Sequence, residues 1–546
     1  MCIAKQSFLL RAACGAAIAS GIILSFVSTA FADSSTGEWT MGGQNLDNTR
    51  TQKQGPINPR TVANLKLKWV FTAGSDVTAT PAVVGNTVYF PDFAGNFYAV
   101  NATTGALVWS RTVSTWTGVA NDFARDDPAF DNQTLFLGDE AGAIATWTQA
   151  GGLVGGGARV IAVNAATGAL KWATQVDAFP AAMVTSSPAV YNGVVYVGVA
   201  TGEESNAATA GYPCCSSSGS VVALDEKSGK LLWRTKTVPT GACDSGGCYS
   251  GGSVWDSTPV IDPDRNSIYV GTGNNFSVPG YVKTCFTNNQ NNPLCADSSD
   301  HFDSVLALDL TTGAIKWTVR GWNYDDWNTA CIFNPAGTGN CPSPAGPDYD
   351  FGGSGPNMLT VNGNSNLLGI GQKSGLYWAL NPSTGRVVWK TQVGPGSSLG
   401  GIEWGTAFDG TSIYVPIANL FGIPYTLQPS GTTANGGSWA ALNPSNGQIV
   451  WQTATPSASM ALGPASAANG VVFAGSMDVN PQNPTMFALD ASTGTVLWSY
   501  VPGSSVNAAP AIAGDSIYWG SGYRKLGALG TANNKVFGFS IHQNMQ

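Results

Sequence analysis

Apolar and polar residues alternate along most of this chain in short runs, broken at close intervals by Gly, Pro, Asn and Asp. That pattern predicts strands with one buried face, separated by tight turns. Thr87-Val88-Tyr89-Phe90, Val194-Val195-Tyr196-Val197 and Ser516-Ile517-Tyr518-Trp519 are three such runs. Each follows a Pro-Ala signal, at Pro81-Ala82, Pro188-Ala189 and Pro510-Ala511. A second signal comes next: an eleven-residue phrase, Ala-x-Asx-x-x-Thr-Gly-x-x-x-Trp, first seen from Ala99 to Trp109. Six more copies end at Trp172, Trp233, Trp317, Trp389, Trp451 and Trp498. The phrase reads as two strands around a turn, with Gly supplying the positive φ. Its small Ala and large Trp suggest that the indole of one unit lies against the Ala of the next.

Two strands from each signal make a four-stranded unit that cannot cover both its faces, so the units must stack. The predicted fold is all-β, an eight-bladed β-propeller with tryptophan-docking repeats. An eighth Trp, Trp69, closes Leu65-Lys66-Leu67-Lys68-Trp69 but lacks the front half of the phrase. Lys535-Val536-Phe537-Gly538-Phe539 supplies that half, with Gly538 in the Ala place. The last blade is therefore expected to be built from both termini. An open solenoid is the alternative, and the complementarity of the two half-units argues against it.

Composition sharpens this picture. Charged residues are 11%, Gly numbers 68, and the net charge is −8, which speaks against a nucleic-acid partner. Residues 1–32 read as a secretory signal: Lys5 and Arg11, an apolar run, then Ala30-Phe31-Ala32 before Asp33. Residues 33–546 then form a single propeller domain, periplasmic or secreted, with no further membrane span. Eight Cys remain beyond the signal and cluster as Cys214 with Cys215, Cys243 with Cys248, Cys285 with Cys295 and Cys331 with Cys341. Local pairing is the simplest expectation. The chain has two His and no Cys-x-x-Cys-His, so neither a His-built metal centre nor an attached c-type haem is expected.

The phrase also serves as a ruler. Successive phrase Trps are 40, 63, 61, 84, 72, 62 and 47 residues apart, so the surplus length lies between Trp109 and Trp451. Loops of that kind carry function. The first holds Asp122-Phe123-Ala124-Arg125, where Arg125 is a surface ion pair or an anion clamp. The second holds Glu203-Glu204, either a solvated loop or cation ligands. In the third, Trp255 is core or a stacking platform, and Asn274 follows a strand with a carbonyl oxygen suited to a hard cation. The fourth is Trp322-Asn323-Tyr324-Asp325-Asp326-Trp327-Asn328, acids among aromatics where desolvation raises a carboxyl pKa. Lys373 ends a strand in the fifth.

With these segments in view, the chain resembles the quinoprotein alcohol dehydrogenases, whose eight-bladed propellers hold pyrroloquinoline quinone and calcium. Asp122-Phe123-Ala124-Arg125, Glu203-Glu204 with Tyr212-Pro213-Cys214-Cys215, and Gly346-Pro347-Asp348-Tyr349-Asp350-Phe351-Gly352 are similar to the polyvinyl alcohol dehydrogenase-like group. The resemblance implies that Arg125 binds a quinone carboxylate, with Thr185 in the same cofactor-binding set. It implies that Glu203, with Glu204 second, and Asn274 ligate calcium, that Trp255 forms the floor under the quinone, and that Lys373 polarises its carbonyl. Many members carry an Asp base directly after a Trp in the fourth insertion. Here Asn328 stands there, so Asp326 or Asp325 is the implied base in a shifted register. Trp255 to Asp262 is one residue longer than usual, and the adjacent-Cys ring of methanol-type enzymes lies in a different blade. The implied function is oxidation of a secondary or polymeric alcohol, such as polyvinyl alcohol, with electrons leaving to a separate cytochrome c or other acceptor. The alternative is a non-catalytic propeller that binds other proteins at the cell envelope.

Overall fold

The computed structural model describes residues 37–542, apart from 256–257, 291, 362 and 525–528; the predicted signal at 1–32 lies outside the described residues. Eight sheets, each with four antiparallel strands, follow one another around a central channel, and two of them gain a fifth strand, Thr51–Gln52 and Ala182–Met183. The first consists of Ala82–Val84, Thr87–Pro91, Asn96–Asn101 and Leu107–Thr112. The predicted closure is present. Lys66–Thr72 pairs with Lys535–Ser540, setting Trp69 opposite Gly538, and the sheet continues through Ser516–Gly520 to Ala511–Ala513. Closing a ring with strands from both ends removes free inner edges and ties the termini together.

The phrase works differently from the expected docking. Its Ala faces the Trp of its own blade, as in Ala99 with Trp109 and Ala162 with Trp172. The indole reaches the next blade through the phrase Gly. A Cβ on Gly168 would sit 2.7 Å from the Trp109 ring, and one on Gly105 2.7 Å from Trp69. Each docked indole also donates its N–H to a neighbouring turn carbonyl, Trp69 to Ala102 and Trp109 to Ala165, both at 2.9 Å. So Gly is needed twice over, for a φ near +70° and for the room an aromatic plane takes. Trp498 is the exception. The turn it would dock on is split between the chain ends, and it packs instead edge-on against Phe539 and Trp519.

The surplus loops join second to third strands and outer to next inner strands, and those connections share one face of a propeller. The other end of the channel is occupied by a segment that the repeat does not announce. Trp39 bridges Val83, and backbone N–H groups of Phe130, Ile261, Met358, Phe408 and Ala467 donate to the carbonyls of Thr40, Leu46, Asp47, Thr49 and Arg50. These partners are on the innermost strands of six blades, next to the turns opposite the insertions. The N-terminal segment therefore threads the ring and builds a floor.

All four locally expected disulfides are present: Cys214–Cys215, Cys243–Cys248, Cys285–Cys295 and Cys331–Cys341. They staple the insertions, which have little core of their own. No helix among the described residues is long and apolar enough to cross a membrane.

Candidate active site

The insertions of blades two to six converge on the channel mouth. Trp255 lies against Gly273 and Gly352: a Cβ on either would meet its ring at 3.1 and 2.6 Å. It shares an apolar cluster with Phe276, Ala207 and the Cys214–Cys215 disulfide. A flat indole and an adjacent-Cys ring thus meet here.

From Gly352 the contacts run to Lys373. The Gly352 N–H donates to one Asp350 oxygen at 2.9 Å, and Lys373 Nζ lies 3.1 Å from the other. Lys373 Nζ is also 2.9 Å from Asp348 Oδ1. Burial disfavours its ammonium, but Asp348 and Asp350, with Glu403 and Glu204 beyond, outweigh that and hold its pKa well above the ordinary range. Trp404 follows Glu403, and its ring lies 5.2 Å from the Arg125 guanidinium. Arg125 also stands over Phe93 at 5.8 Å. Lys373, Trp255 and Arg125 are therefore linked through neighbouring contacts around one mouth.

The two adjacent glutamates separate. Glu203 is fully buried and turned into the Cys214–Cys215 loop. It accepts from Tyr212 Oη at 2.8 Å, from the Ser216 N–H at 2.9 Å and from the Ser217 N–H at 2.7 Å. Glu204 instead faces Lys373, Asp350 and Asp325, and burial pushes its pKa up to about 7 against the pull of Lys373. Asn274 is buried, with its N–H₂ donating to the Asn275 and Trp327 carbonyls at 2.9 and 2.7 Å. Its Oδ1 accepts nothing, and neither does the buried Thr185 hydroxyl oxygen. Among the described residues no three or more His, Cys, Asp and Glu side chains form a group that could hold a metal ion.

The paired aspartates also part company. Asp325 takes N–H donors from Asp348 at 3.0 Å and Tyr349 at 2.7 Å, beside Asp303 and Asp350. Burial raises its pKa to about 6 while those N–H groups pull it down. Asp326 points the other way, toward Lys283 at 3.6 Å and Tyr324 at 3.4 Å, and burial raises it to about 7. Successive residues of an extended stretch face opposite sides, so one of the two serves the mouth and the other the insertion behind it. Asn328 is buried, and its N–H₂ donates to the Phe276 and Asn340 carbonyls at 3.0 and 2.9 Å. An Asp there would set its oxygen against two carbonyl oxygens, which explains the amide.

Asp348, Asp350, Trp404 and Glu403 were not among the site residues predicted from sequence. The Asp-Tyr-Asp stretch drew attention only through resemblance, because nothing in its spacing points at Lys373.

The fold is that of an eight-bladed propeller with docked tryptophans. A family model described as outer membrane protein assembly factor BamB matches residues 66–318 and 435–542. The chain belongs to that family. It is similar to the polyvinylalcohol dehydrogenase of Sphingopyxis sp. (strain 113P3), 29% identical over 92% of this chain and 76% of that one. It is 28% identical to the quinohemoprotein alcohol dehydrogenase of Comamonas testosteroni, over 54% of this chain and 40% of that one. The crystal structure of the Comamonas enzyme aligns with a TM-score of 0.67 at 19% identity, covering 94% of this chain and 82% of that one. A europium-containing methanol dehydrogenase aligns with a TM-score of 0.65 at 20% identity, over 92% and 98%.

Proposed function

We propose that this chain is a pyrroloquinoline quinone- and calcium-dependent alcohol dehydrogenase that acts outside the cytoplasm on a secondary or polymeric alcohol. The polymer reading draws on the polyvinylalcohol dehydrogenases to which the chain is similar. The observation that carries the proposal is the continuous set Trp255, Gly352, Asp350, Lys373, Glu403, Trp404 and Arg125. A flat wall, a buried cation and an anion clamp in one mouth suit a planar polycarboxylate quinone.

Bound there, the quinone supplies the electrophilic carbonyl that accepts the two electrons and hydrogen of alcohol oxidation. Arg125 holds a carboxylate, with Thr185 offering a buried hydroxyl. Trp255 gives a planar face. Lys373, kept charged by its two aspartates, favours negative charge developing at an oxygen in front of it. Asp325 takes the substrate hydroxyl proton onto a carboxylate oxygen, since it shares Lys373's side of the mouth, whereas Asp326 faces Lys283. Calcium would be held by Asn274 through its unused Oδ1 and by Glu204, while Glu203 fixes the loop above. Electrons would leave to a separate cytochrome c or other acceptor.

The test is to add quinone and calcium to the purified protein, then follow the bound-quinone spectrum and alcohol-dependent dye reduction. Both should appear. Absence of binding at micromolar quinone refutes the proposal and favours the alternative, a non-catalytic envelope propeller, to which Asn328 at the usual base position gives its support.

A further inference from the structure

Among the described residues, exposed large apolar side chains fall in two places only. One set, including Val108, Val388 and Val450, lies on the outermost strands around the ring. The other lies on the face that carries the insertions, and among the described residues none is on the turns of the floor. Those turns present charge instead, with Lys227, Lys230, Asp264 and Arg386 exposed. The exposed aromatics Tyr281, Trp322, Phe333 and Phe421 are all on the insertion face. So is Leu294, 84% exposed, and Phe333 and Phe421 are 72% and 66% exposed.

These tips are held in place by the fold. Leu294 sits in the loop closed by Cys285–Cys295, and Ile332 and Phe333 sit in the loop closed by Cys331–Cys341. The Phe421 tip is fixed from inside: Asn419 Nδ2 donates to the Ile423 and Gly436 carbonyls, and its Oδ1 accepts the Ile423 N–H, all at 3.0 Å. Side chains already in place lose less entropy on docking. Trp322 packs edge-on against Tyr349 at 5.7 Å, and the Tyr349 N–H donates to Asp325. The Thr329 N–H, just before the Phe333 turn, donates to the Glu204 carbonyl at 3.3 Å. The tips therefore stand around the mouth.

Charge and layout identify the partner. Residues 327–347, which carry Ile332 and Phe333, contain no Lys, Arg, His, Asp or Glu, and neither do residues 410–477, which carry Phe421 and Ile423. The exposed carboxylates near Tyr281 and Leu294, Asp244 and Asp297, are turned to backbone N–H groups. The tips come from blade two with Val154, from blades four and six, from blade seven with Val479, and from the connection between blades four and five. Separate apolar tips spread around a wide circle do not make the contiguous buried centre of a protein interface. They fit a flat apolar layer, entered by aromatic and leucine side chains from uncharged loops. The net charge of −8 disfavours an anionic surface. We propose that the insertion face docks on a zwitterionic phospholipid bilayer, with these tips at the boundary of headgroups and acyl chains and the charged floor toward water. The chain rests on the bilayer without crossing it, and the mouth opens at the lipid surface. Docking of this kind is independent of what the mouth catalyses.

The experiment is flotation of the purified protein with phosphatidylcholine vesicles. The triple variant L294S/F333S/F421S is compared with V108S/V388S/V450S, which removes exposed apolar residues from the outer strands instead. Wild type and the outer-strand variant should float alike, while the tip variant should partition about tenfold or more weakly. Raising salt from about 0.15 M to 0.5 M should leave wild-type binding within twofold, because apolar contact is not screened. Quenching of tryptophan fluorescence by brominated phosphatidylcholine is the second readout, and it should fall about twofold or more in W322F. If the tip variant fails to fold, this comparison decides, and equal quenching in W322F and wild type overturns the docking. Failure of the wild type to float, tip-variant binding within twofold of wild type, or equal losses in both triple variants also overturns it. Wild type that ignores vesicles but is retarded in a gel containing polyvinyl alcohol assigns the tips to a polymer and overturns the lipid surface.

Discussion

Lys373→Met removes the one cation from the most densely charged part of the mouth. In the folded protein Lys373 Nζ lies 2.9 Å from Asp348 and 3.1 Å from Asp350, and all three side chains are buried. Breaking a buried pair while leaving its partner behind costs about 3–5 kcal/mol. Two carboxylates lose their partner here, so the upper part of that range applies at a pH where both are ionised. Unfolding entropy of roughly 2 cal/mol/K per residue gives a chain of this length on the order of 1 kcal/mol/K, so Tm should fall by about 3–5 °C. The pH dependence gives the decisive sign. Burial already holds the Asp348 carboxyl well above the ordinary range against the pull of Lys373; without the lysine it rises further, and a group whose folded-state pKa is raised loses stability as pH rises. The deficit of Lys373→Met against wild type should therefore be largest near pH 8 and shrink toward pH 5, as the orphaned Asp348 carboxyl takes up a proton. Differential scanning calorimetry of both proteins across that range measures it. A deficit equal at pH 5 and pH 8, or larger at pH 5, refutes the assignment of Lys373 as the compensating charge.

Other outcomes follow from the same geometry. Asp325→Asn should abolish alcohol-dependent dye reduction while Asp326→Asn retains most of it, and in the wild type kcat/KM should rise with pH through about 6 as Asp325 ionises; equal losses in both variants would remove Asp325 as base. Asn274→Ala and Glu204→Gln should each raise the calcium concentration needed to stabilise the quinone-loaded protein against heat, which Glu203→Gln should do less; an unchanged requirement in Asn274→Ala would remove it as a ligand. Trp69→Ala strips the closing blade of its docked indole and should cost about 3–5 kcal/mol in denaturant unfolding. Trp498→Ala, half-buried and without a turn carbonyl to bond, should cost less, and the reverse order would contradict the account of ring closure.

How far the chain could be read in advance depends on the range of the interaction concerned. Strand alternation, turn chemistry and the repeated phrase are local, and they were enough for eight blades and for the pairing of Trp69 with Gly538 across the termini. Cysteine spacing was likewise local, and the disulfides follow it. The insertions could be located by counting between tryptophans, and Arg125, Trp255, Glu204, Asn274, Asp325 and Lys373 all lie in or beside them.

What only the tertiary structure decided concerns direction and distant partners. Sequence places Glu203 beside Glu204 and Asp325 beside Asp326 as equals. The fold turns Glu203 into the disulfide loop and Glu204 to Lys373, Asp325 to the mouth and Asp326 to Lys283. Pattern assigned the docking to Ala, but the blade-to-blade angle brings the indole onto Gly instead. The N-terminal segment has no repeat register, so Arg50 could not be placed opposite Asp127 from its neighbours in the chain. A propeller encodes its scaffold in contacts between adjacent residues and adjacent blades, while its channel is formed by single residues from many blades meeting once.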